Sequence, residues 1–252
     1  MTATALLTVG VLALQGGFYE HLTLLRAAAA HLADAESRPS VEYSFIEVRT
    51  PEQLAQCSAL VIPGGESTTI SLVAAASGLL EPLRHFVKVD KKPTWGTCAG
   101  LILLSDQVSA TKKGGQELIG GLAVRVHRNH FGRQIESFNA PLSLPFLSGD
   151  DGAQTEAPYP GVFIRAPVVE EVLSTSSHDQ QPVQILAKLP GRVNKMKEGM
   201  SQATTKDDAG DVIAVRQGNI LGTSFHPELT TDLRMHVWWL RQIVAASNKQ
   251  SS

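Results

Sequence analysis

The segment LLTVGVLALQGGFYEHLTLL (residues 6–25) changes character at two consecutive glycines. Before them, the run LLTVGVLAL is almost continuously apolar, which is typical of a strand buried on both faces of a parallel sheet. After them, Leu22, Leu25 and Leu32 recur at helical spacing. A buried strand, a glycine turn and an amphipathic helix in succession predict the first unit of an α/β fold.

The alternation continues along the first half of the chain. Residues 41–48 alternate like a strand, 51–57 form a short helix with Pro at its first turn, and 59–65 read as another buried strand that ends in glycines. Helical periodicity then returns, and the pattern persists to about residue 105. This order predicts an open three-layer α/β/α sandwich, flavodoxin-like, with a mostly parallel central sheet.

The second half of the chain has a different pattern. Residues 122–142 and 161–173 look like β-segments separated by turns, and we expect them to form a more antiparallel β extension of the sheet. The last element is an amphipathic helix. Its predicted apolar face carries Leu233, Val237, Leu240 and Val244. The sequence predicts a single domain over residues 1–252, with surface insertions near 107–117, 145–160 and 190–210.

Composition excludes several classes of protein. The chain has 252 residues, 22 Lys plus Arg, 24 Asp plus Glu and a formal net charge of -2. This balance argues against a nucleic-acid or membrane-surface partner. Two cysteines make no disulfide framework, and the N-terminus has neither the basic start of a signal peptide nor an apolar run long enough to span a membrane. We therefore expect a cytoplasmic protein.

Cys98 lies in the pattern G-x-C-x-G, between Gly96 and Gly100. This is the cysteine form of the nucleophile elbow, a tight strand-to-helix turn that needs glycine on both sides. The apolar run that follows predicts a helix, whose N-terminus favours a thiolate. A buried cysteine that only fills space is the alternative interpretation.

A thiolate nucleophile usually works with a base and a group that orients the base. Among eight histidines, His226 ends an apolar strand and is followed by Pro227 and Glu228. Pro227 biases His226 toward extended backbone, from which we expect the Glu228 carboxylate to project to the same side. A solvated surface pair is the alternative. The helical pattern around His21 predicts a surface or half-buried side chain there.

The segment VIPGGESTT (61–69) is a third strand that ends at a glycine turn. Gly65 in this turn and Ala99, which follows the nucleophile, are the two backbone N–H donors that we expect to form an oxyanion hole. The alternative is a plain strand–turn–helix connection with a capping serine or threonine.

Six segments together carry a resemblance to a known family. They are LALQGGFYEH, PGGESTT, GTCAGLILL, RNHFGRQIESF, GVFIRAP and LGTSFHPELT. The chain resembles the glutaminase subunits of pyridoxal 5'-phosphate synthase, within the triad-type (class I) glutamine amidotransferases. GTCAG and HPE indicate the wider class, whereas GGESTT, FGRQIESF and VFIRAP select the vitamin B6 branch. The three predicted insertions make this chain longer than the compact form of that family.

The resemblance implies a role for each matching residue. Cys98 would be the nucleophile, His226 the general base and acid, and Glu228 the orienting carboxylate. The glutamine-binding positions implied are Gly64, Gly65, Glu66, Arg128, Ile164 and Arg165. Salt bridges that hold loops together are the alternative for the two arginines, and a buried charge at a helix start is the alternative for Glu66.

The resemblance also implies a reaction and a partner. The chain would hydrolyse L-glutamine to L-glutamate and ammonia, and would pass the ammonia to a separate synthase subunit in a hetero-oligomeric complex that builds pyridoxal 5'-phosphate. Glutaminase activity would depend on that partner. The glutaminase reaction would need no metal and no organic cofactor, and the cysteines and histidines lack zinc-site spacing.

Three other functions remain open from the sequence. Another triad amidotransferase and a cysteine peptidase built on the same elbow would share the catalytic residues, but FGRQIESF and VFIRAP argue against both. A regulatory or scaffold protein without turnover is the third, and the intact set of Cys98, His226 and Glu228 argues against it.

Overall fold

The computed structural model describes residues 5–35, 41–109, 116–128, 137–148, 157–174, 181–189 and 210–250. The strands are β1 (Ala5–Leu12), β2 (Val41–Val48), β3 (Ala59–Ile62), β4 (Thr94–Thr97), β5 (Ser105–Ser109), β6 (Leu122–His127), β7 (Ser137–Leu142), β8 (Tyr159–Ile164), β9 (Val168–Val172), β10 (Gln184–Leu189), β11 (Asp211–Gln217) and β12 (Ile220–Thr223). The α-helices are α1 (Phe18–Ala35), α2 (Pro51–Ala55), α3 (Ser67–Ala76), α4 (Leu80–Lys88), α5 (Ala99–Leu104) and α6 (Arg234–Gln250). Short 3-10 helices cover Pro145–Leu147 and Pro227–Leu229.

Ten of the strands form one central sheet in the order β2-β1-β3-β4-β12-β11-β9-β6-β5, with β10 paired to β11. The pairs from β2 to β12 are all parallel, and this half has the flavodoxin-like order with β12 in the fifth place. From β12 through β11 and β9 to β6 the pairing is antiparallel, and β7 and β8 form a separate antiparallel pair. The predicted fold class is confirmed.

Two hydrophobic clusters cover the two faces of the parallel half. Successive strand residues point to opposite faces, so Val61 joins the cluster that α1 and α6 complete, while Leu60 and Ile62 join the cluster formed with α2 to α5. Every residue of β3 is buried, as its unbroken apolar sequence predicts. No helix in the described ranges combines the length and the apolar character that a membrane span requires.

Several boundaries differ from the sequence-based expectation: the helix predicted over 51–57 ends at Ala55, and the strand predicted over 59–65 ends at Ile62. Helical periodicity predicts one continuous element after residue 69, but the helix ends at Ala76, and Gly78 takes a positive φ of 72° before α4 begins. Apolar spacing continues through this turn, which is why periodicity alone misses it.

Within the predicted insertion near 107–117, residues 107–109 lie in β5 and pair with β6. Within the predicted insertion at 145–160, the 3-10 helix buries Leu147, and β8 begins at Tyr159. The rest of the first two insertions falls mostly on 110–115 and 149–156, and nearly all of the third on 190–209; these residues lie outside the described ranges.

The fold brings four chain segments together. Strands β1, β3, β4 and β12 are neighbours and run parallel, so their carboxyl ends meet at one edge of the sheet. The four segments that follow these strands carry the Gly-Gly turn before α1, the PGGE turn, Cys98 and the HPE sequence. Open α/β sheets bind their ligands at this edge.

Candidate active site

Cys98 occupies a strained turn between β4 and α5. Its φ and ψ are 47° and -100°, a conformation that L-residues rarely adopt. A Cβ added at Gly96 would lie 2.4 Å from the carbonyl carbon of Gly100, and one added at Gly100 would lie 2.1 Å from the carbonyl oxygen of Ile62. Glycine is therefore required on both sides of Cys98, and the predicted elbow is present.

His226 and Glu228 are held together directly after β12. Nδ1 of His226 lies 2.8 Å from Oε1 of Glu228, and both residues are buried. The His226 backbone N–H donates to the carbonyl of Val162 at 2.8 Å, which ties the residue to β8. The predicted pair is present, but its geometry differs from the expectation, because Pro227–Leu229 form a 3-10 turn that brings the carboxylate back to the ring.

The backbone of Gly64 lies beside both Cys98 and the imidazole of His226. A Cβ added at Gly64 would be 2.3 Å from Cε1 of His226 and 3.3 Å from Cβ of Cys98. Both residues therefore pack against the Gly64 backbone, one from each of two neighbouring strands. The absence of a side chain at this position lets the imidazole approach the elbow.

The two expected oxyanion donors lie at the ends of β3 and β4. The Gly64 carbonyl accepts a hydrogen bond from the Gly17 N–H at 3.1 Å. In a trans peptide the next N–H points the opposite way, so the Gly65 N–H is directed away from Gly17. Ala99 begins α5, where the first N–H groups have no partner within the helix. Their role as an oxyanion hole stays a prediction.

Glu66 and Arg128 lie together at the start of α3. The Glu66 carboxylate caps the helix by accepting from the backbone N–H groups of Thr68 and Thr69, so it is a helix-start charge, although its side chain is half exposed rather than buried. The Arg128 guanidinium donates to Ser67 Oγ at 3.0 Å and lies 3.5 Å from Glu66 Oε1. The structure brings both residues beside the PGGE turn, and their contact with glutamine stays a prediction.

Ile164 ends β8 close to Cys98, and Arg165 follows it. The Ile164 carbonyl oxygen is 3.9 Å from Sγ of Cys98. Arg165 is exposed and has a positive φ of 46°, which is uncommon for a residue with a side chain. Strained non-glycine residues cluster at functional sites, which supports a binding role for this turn.

The sequence-based expectation for His21 is wrong. His21 on α1 is fully buried, and its Nε2 lies 3.2 Å from Oε2 of Glu228. Its Nδ1 lies 3.1 Å from Nε2 of His236 on α6, which is also fully buried. Helical position is the sequence feature that indicates burial of both histidines, since His21 shares a face with Leu25 and His236 shares one with Leu240.

Burial and pairing shift the pKa values of this cluster in opposite directions. Burial alone would raise the pKa of the Glu228 carboxyl, but interactions with the imidazoles of His21 and His226 outweigh it and hold that pKa well below its usual range. Burial alone would lower the pKa of His226, but interactions with Cys98 and Glu228 raise it to about 10. These interactions therefore favour the imidazolium form of His226, which lies beside Cys98 and the Glu228 carboxylate.

This arrangement provides a nucleophile, a proton carrier and an anchor for that carrier. Nε2 of His226 is buried and has no aligned hydrogen bond among the described residues, so it is available to Cys98 or to a bound substrate. No group of three or more His, Cys, Asp or Glu side chains in the described part of the chain is placed to hold a metal ion.

The chain is similar in sequence to a known protein family and to named proteins. The SNO glutamine amidotransferase family matches residues 11–245 of the chain. The chain is 43% identical over 240 residues, 93% of its length and 85% of the relative's, to the probable pyridoxal 5'-phosphate synthase subunit PDX2 of Arabidopsis thaliana. It is 41% identical over 247 residues, 97% of its length and 96% of the relative's, to the pyridoxal 5'-phosphate synthase subunit SNO1 of Saccharomyces cerevisiae.

A solved structure described as a glutamine amidotransferase is also similar. It is 35% identical in sequence and superposes with a TM-score of 0.65, covering 94% of this chain and 98% of the other. The shared fold and the level of identity agree with the sequence comparisons.

Proposed function

The chain belongs to the SNO glutamine amidotransferase family, and from this we propose that it hydrolyses L-glutamine to L-glutamate and ammonia. The observation that supports this most directly is the placement of Cys98 on a strained elbow beside the buried His226–Glu228 pair. A cysteine nucleophile and a histidine that carries protons suit acyl transfer from an amide.

In the first half of the proposed reaction, the Cys98 thiolate attacks the side-chain amide carbon of glutamine. The resulting oxyanion accepts hydrogen bonds from the backbone N–H groups of Gly65 and Ala99. The His226 imidazolium then donates its proton to the amide nitrogen, and the C–N bond breaks to give ammonia and a thioester on Cys98.

In the second half, neutral His226 takes a proton from a water molecule. The hydroxide attacks the thioester carbonyl, a second oxyanion forms in the same place, and the C–S bond breaks to release glutamate. Glu228 stays ionised throughout and keeps Nδ1 of His226 protonated, so that Nε2 exchanges the proton with the reacting groups.

Substrate binding is assigned to residues around the elbow. Gly64, Gly65 and Glu66 form the turn that packs against Cys98, and Ile164, followed by Arg165, lies near its Sγ. Arg128, which follows β6, reaches the same region and donates a hydrogen bond to Ser67, the residue after Glu66. The guanidinium groups of this set suit the α-carboxylate of glutamine, and the carboxylate of Glu66 suits its α-amino group.

We assign the ammonia to a synthase subunit that makes pyridoxal 5'-phosphate, because relatives at about 40% identity are named as subunits of that synthase. The chain would act as one amidotransferase domain within the complex, in the cytoplasm, and its activity would depend on the partner. No metal or organic cofactor takes part in these steps.

The test is ammonia release from glutamine by the chain with and without its synthase subunit, for the wild type and for Cys98→Ala. We expect turnover that requires the synthase and that falls by at least about 10³-fold in the variant. Peptide cleavage without glutaminase activity would indicate a peptidase. Turnover that survives in Cys98→Ala would overturn the assignment of the nucleophile.

A further inference from the structure

Two fully buried histidines lie behind the catalytic residues, and the proposed reaction does not use them. We infer that His21 is a positioning residue that holds the second carboxylate oxygen of Glu228, and that His236 sets the tautomer in which His21 does so. This inference rests on the proposed function only in that Glu228 is taken to orient His226. A buried imidazole is costly unless its nitrogens are satisfied, so its presence on the apolar face of α1 requires a reason.

The carboxylate of Glu228 faces one imidazole at each oxygen. Oε1 lies 2.8 Å from Nδ1 of His226, and Oε2 lies 3.2 Å from Nε2 of His21. The second contact has the distance of an ion pair without the alignment of a hydrogen bond, and Oε2 is buried with no aligned donor among the described residues. His21 Nε2 is therefore the group that compensates this oxygen, and a small rotation of its ring would align it.

The proton positions follow from His236. Burial lowers the pKa of His236 well below its usual value, so its ring is neutral and carries one proton. Its Nδ1 is buried without a hydrogen-bond partner in the described part of the chain, and a buried N–H without an acceptor is rarer than a buried lone pair without a donor. The proton is therefore on Nε2 and is donated to Nδ1 of His21, 3.1 Å away.

With its Nδ1 accepting, His21 carries its proton on Nε2, the nitrogen that faces Glu228. Thr97 Oγ1 lies 3.3 Å from the same nitrogen and fixes the ring from β4. Trp95 packs edge-on against both imidazoles, with centroid distances of 5.5 Å to His21 and 5.2 Å to His236. Polar chains in such a dry environment are stronger than in water, and they rigidify the groups they connect.

The sequence of contacts is therefore His236, His21, Glu228, His226 and Cys98. It joins the helix pair α1 and α6 to the carboxyl end of the sheet. Removal of the His21 N–H would leave a buried carboxylate with one partner, which favours its rotation or protonation. His226 would then lose its anchor although no residue that touches substrate has changed.

The test compares two substitutions of similar size. The side-chain nitrogen of Gln reaches about as far as Nε2 of histidine, whereas that of Asn reaches only about as far as Nδ1. In the complex with the synthase subunit, we expect His21→Asn to lower kcat about 10- to 100-fold with KM nearly unchanged, and His21→Gln to stay within about threefold of the wild type. His31→Asn, on the exposed side of the same helix, is the control and should behave as wild type.

A second measurement does not depend on glutamine. Alkylation of Cys98 by iodoacetamide at pH 7 should slow about tenfold in His21→Asn and should recover in His21→Gln. Burial raises the pKa of Cys57 to about 11, and Cys98→Ala measures the remaining background. If His21→Asn does not fold, the same comparison is made one contact further away, with His236→Leu and His236→Gln. We then expect a smaller loss of kcat and of alkylation rate in His236→Leu, and none in His236→Gln.

The outcomes separate this inference from the proposed function. Equal losses in the Asn and Gln variants, a change in KM alone, or wild-type kcat and alkylation in both would overturn the inference while the glutaminase assignment stands. Slower alkylation in the Asn variant alone, in a protein that releases no ammonia with its synthase, would support the inference and overturn the assignment.

Discussion

Oε1 of Glu228 lies 2.8 Å from Nδ1 of His226, although only Pro227 separates the two residues in the chain. A strand continued through this point would carry the carboxylate along the sheet edge. The 3-10 turn at Pro227–Leu229 instead folds it back beneath the imidazole. His226 and Glu228 thus belong to one short turn, and the backbone of this turn brings the carboxylate to the imidazole.

The role of this carboxylate is tested by Glu228→Gln. The amide keeps the shape of the side chain but removes the charge and offers an N–H to Nδ1 of His226, which favours the wrong tautomer. We expect kcat for glutamine hydrolysis in the synthase complex to fall about 10²- to 10⁴-fold, with a much smaller effect on KM. Glu81→Gln removes an exposed carboxylate on α4 and is the control. A kcat within threefold of the wild type in Glu228→Gln would contradict this role.

Gly64→Ala tests the close approach of the imidazole to the elbow. The new Cβ would lie 2.3 Å from Cε1 of His226, so the ring must move. A displacement of this size costs on the order of 10²-fold in kcat. Gly78→Ala is the matched control, because its positive φ of 72° makes alanine unfavourable while nothing lies within 4 Å of the new Cβ.

We expect the control to lower the free energy of unfolding by about 1–2 kcal/mol and to leave kcat unchanged. Thermal denaturation and ammonia release, measured on both variants, distinguish the two effects. Loss of activity in Gly78→Ala, or none in Gly64→Ala, would disagree with the geometry.

The raised pKa of His226 predicts a pH dependence of stability. Its folded value of about 10 exceeds the ordinary 6.5, because interactions with Cys98 and Glu228 outweigh burial. The stabilisation is therefore complete below about pH 6.5 and is lost as the pH rises toward 10. We expect the free energy of unfolding of the wild type to exceed that of His226→Gln at pH 6.5, and this difference to shrink by pH 9.5.

Urea denaturation at these pH values measures the difference. His31→Gln alters an exposed histidine and should show no such trend. A difference between wild type and His226→Gln that is constant from pH 6.5 to 9.5 would show that folding does not raise the pKa of His226.

Arg128→Met tests the predicted glutamine site. The guanidinium contacts Ser67 and Glu66 beside the PGGE turn, and we expect its loss to raise KM about 10- to 100-fold while kcat changes little. Arg125→Met is the control from β6, the strand that precedes Arg128, since Arg125 pairs with Gln107 and Glu171 instead. Equal KM values in the two variants would assign Arg128 to structure alone.

The parallel half of the fold follows closely from the sequence because β3 and most of β1 are buried and apolar, and glycines follow both strands. Glycines also flank Cys98, so the elbow and the turn at Gly64 are visible as patterns. The HPE pair is likewise visible as a sequence pattern. Helical periodicity does not predict where a helix ends if the residues after that end keep the same apolar spacing, as they do after Ala76.

The burial of His21 and His236 does not follow from the local sequence, for a different reason. His21 occupies a buried position of α1 that local pattern assigns to an apolar residue, and its partners on β4, on α6 and after β12 are distant in sequence. The pairing depends on how α1 packs against α6, which local sequence does not encode. A histidine on the apolar face of a helix is nonetheless a usable sign of a buried polar contact.

The position of β12 in the sheet has a consequence for how the protein is made. Cys98 leaves β4 early in the chain, but the strand that pairs with β4 on its other side, and the histidine that follows it, are synthesised more than a hundred residues later. A nascent chain that has reached the antiparallel segments already contains Cys98 but not His226. The two residues therefore come together only when β12 has been made and has paired with β4, between β4 and β11.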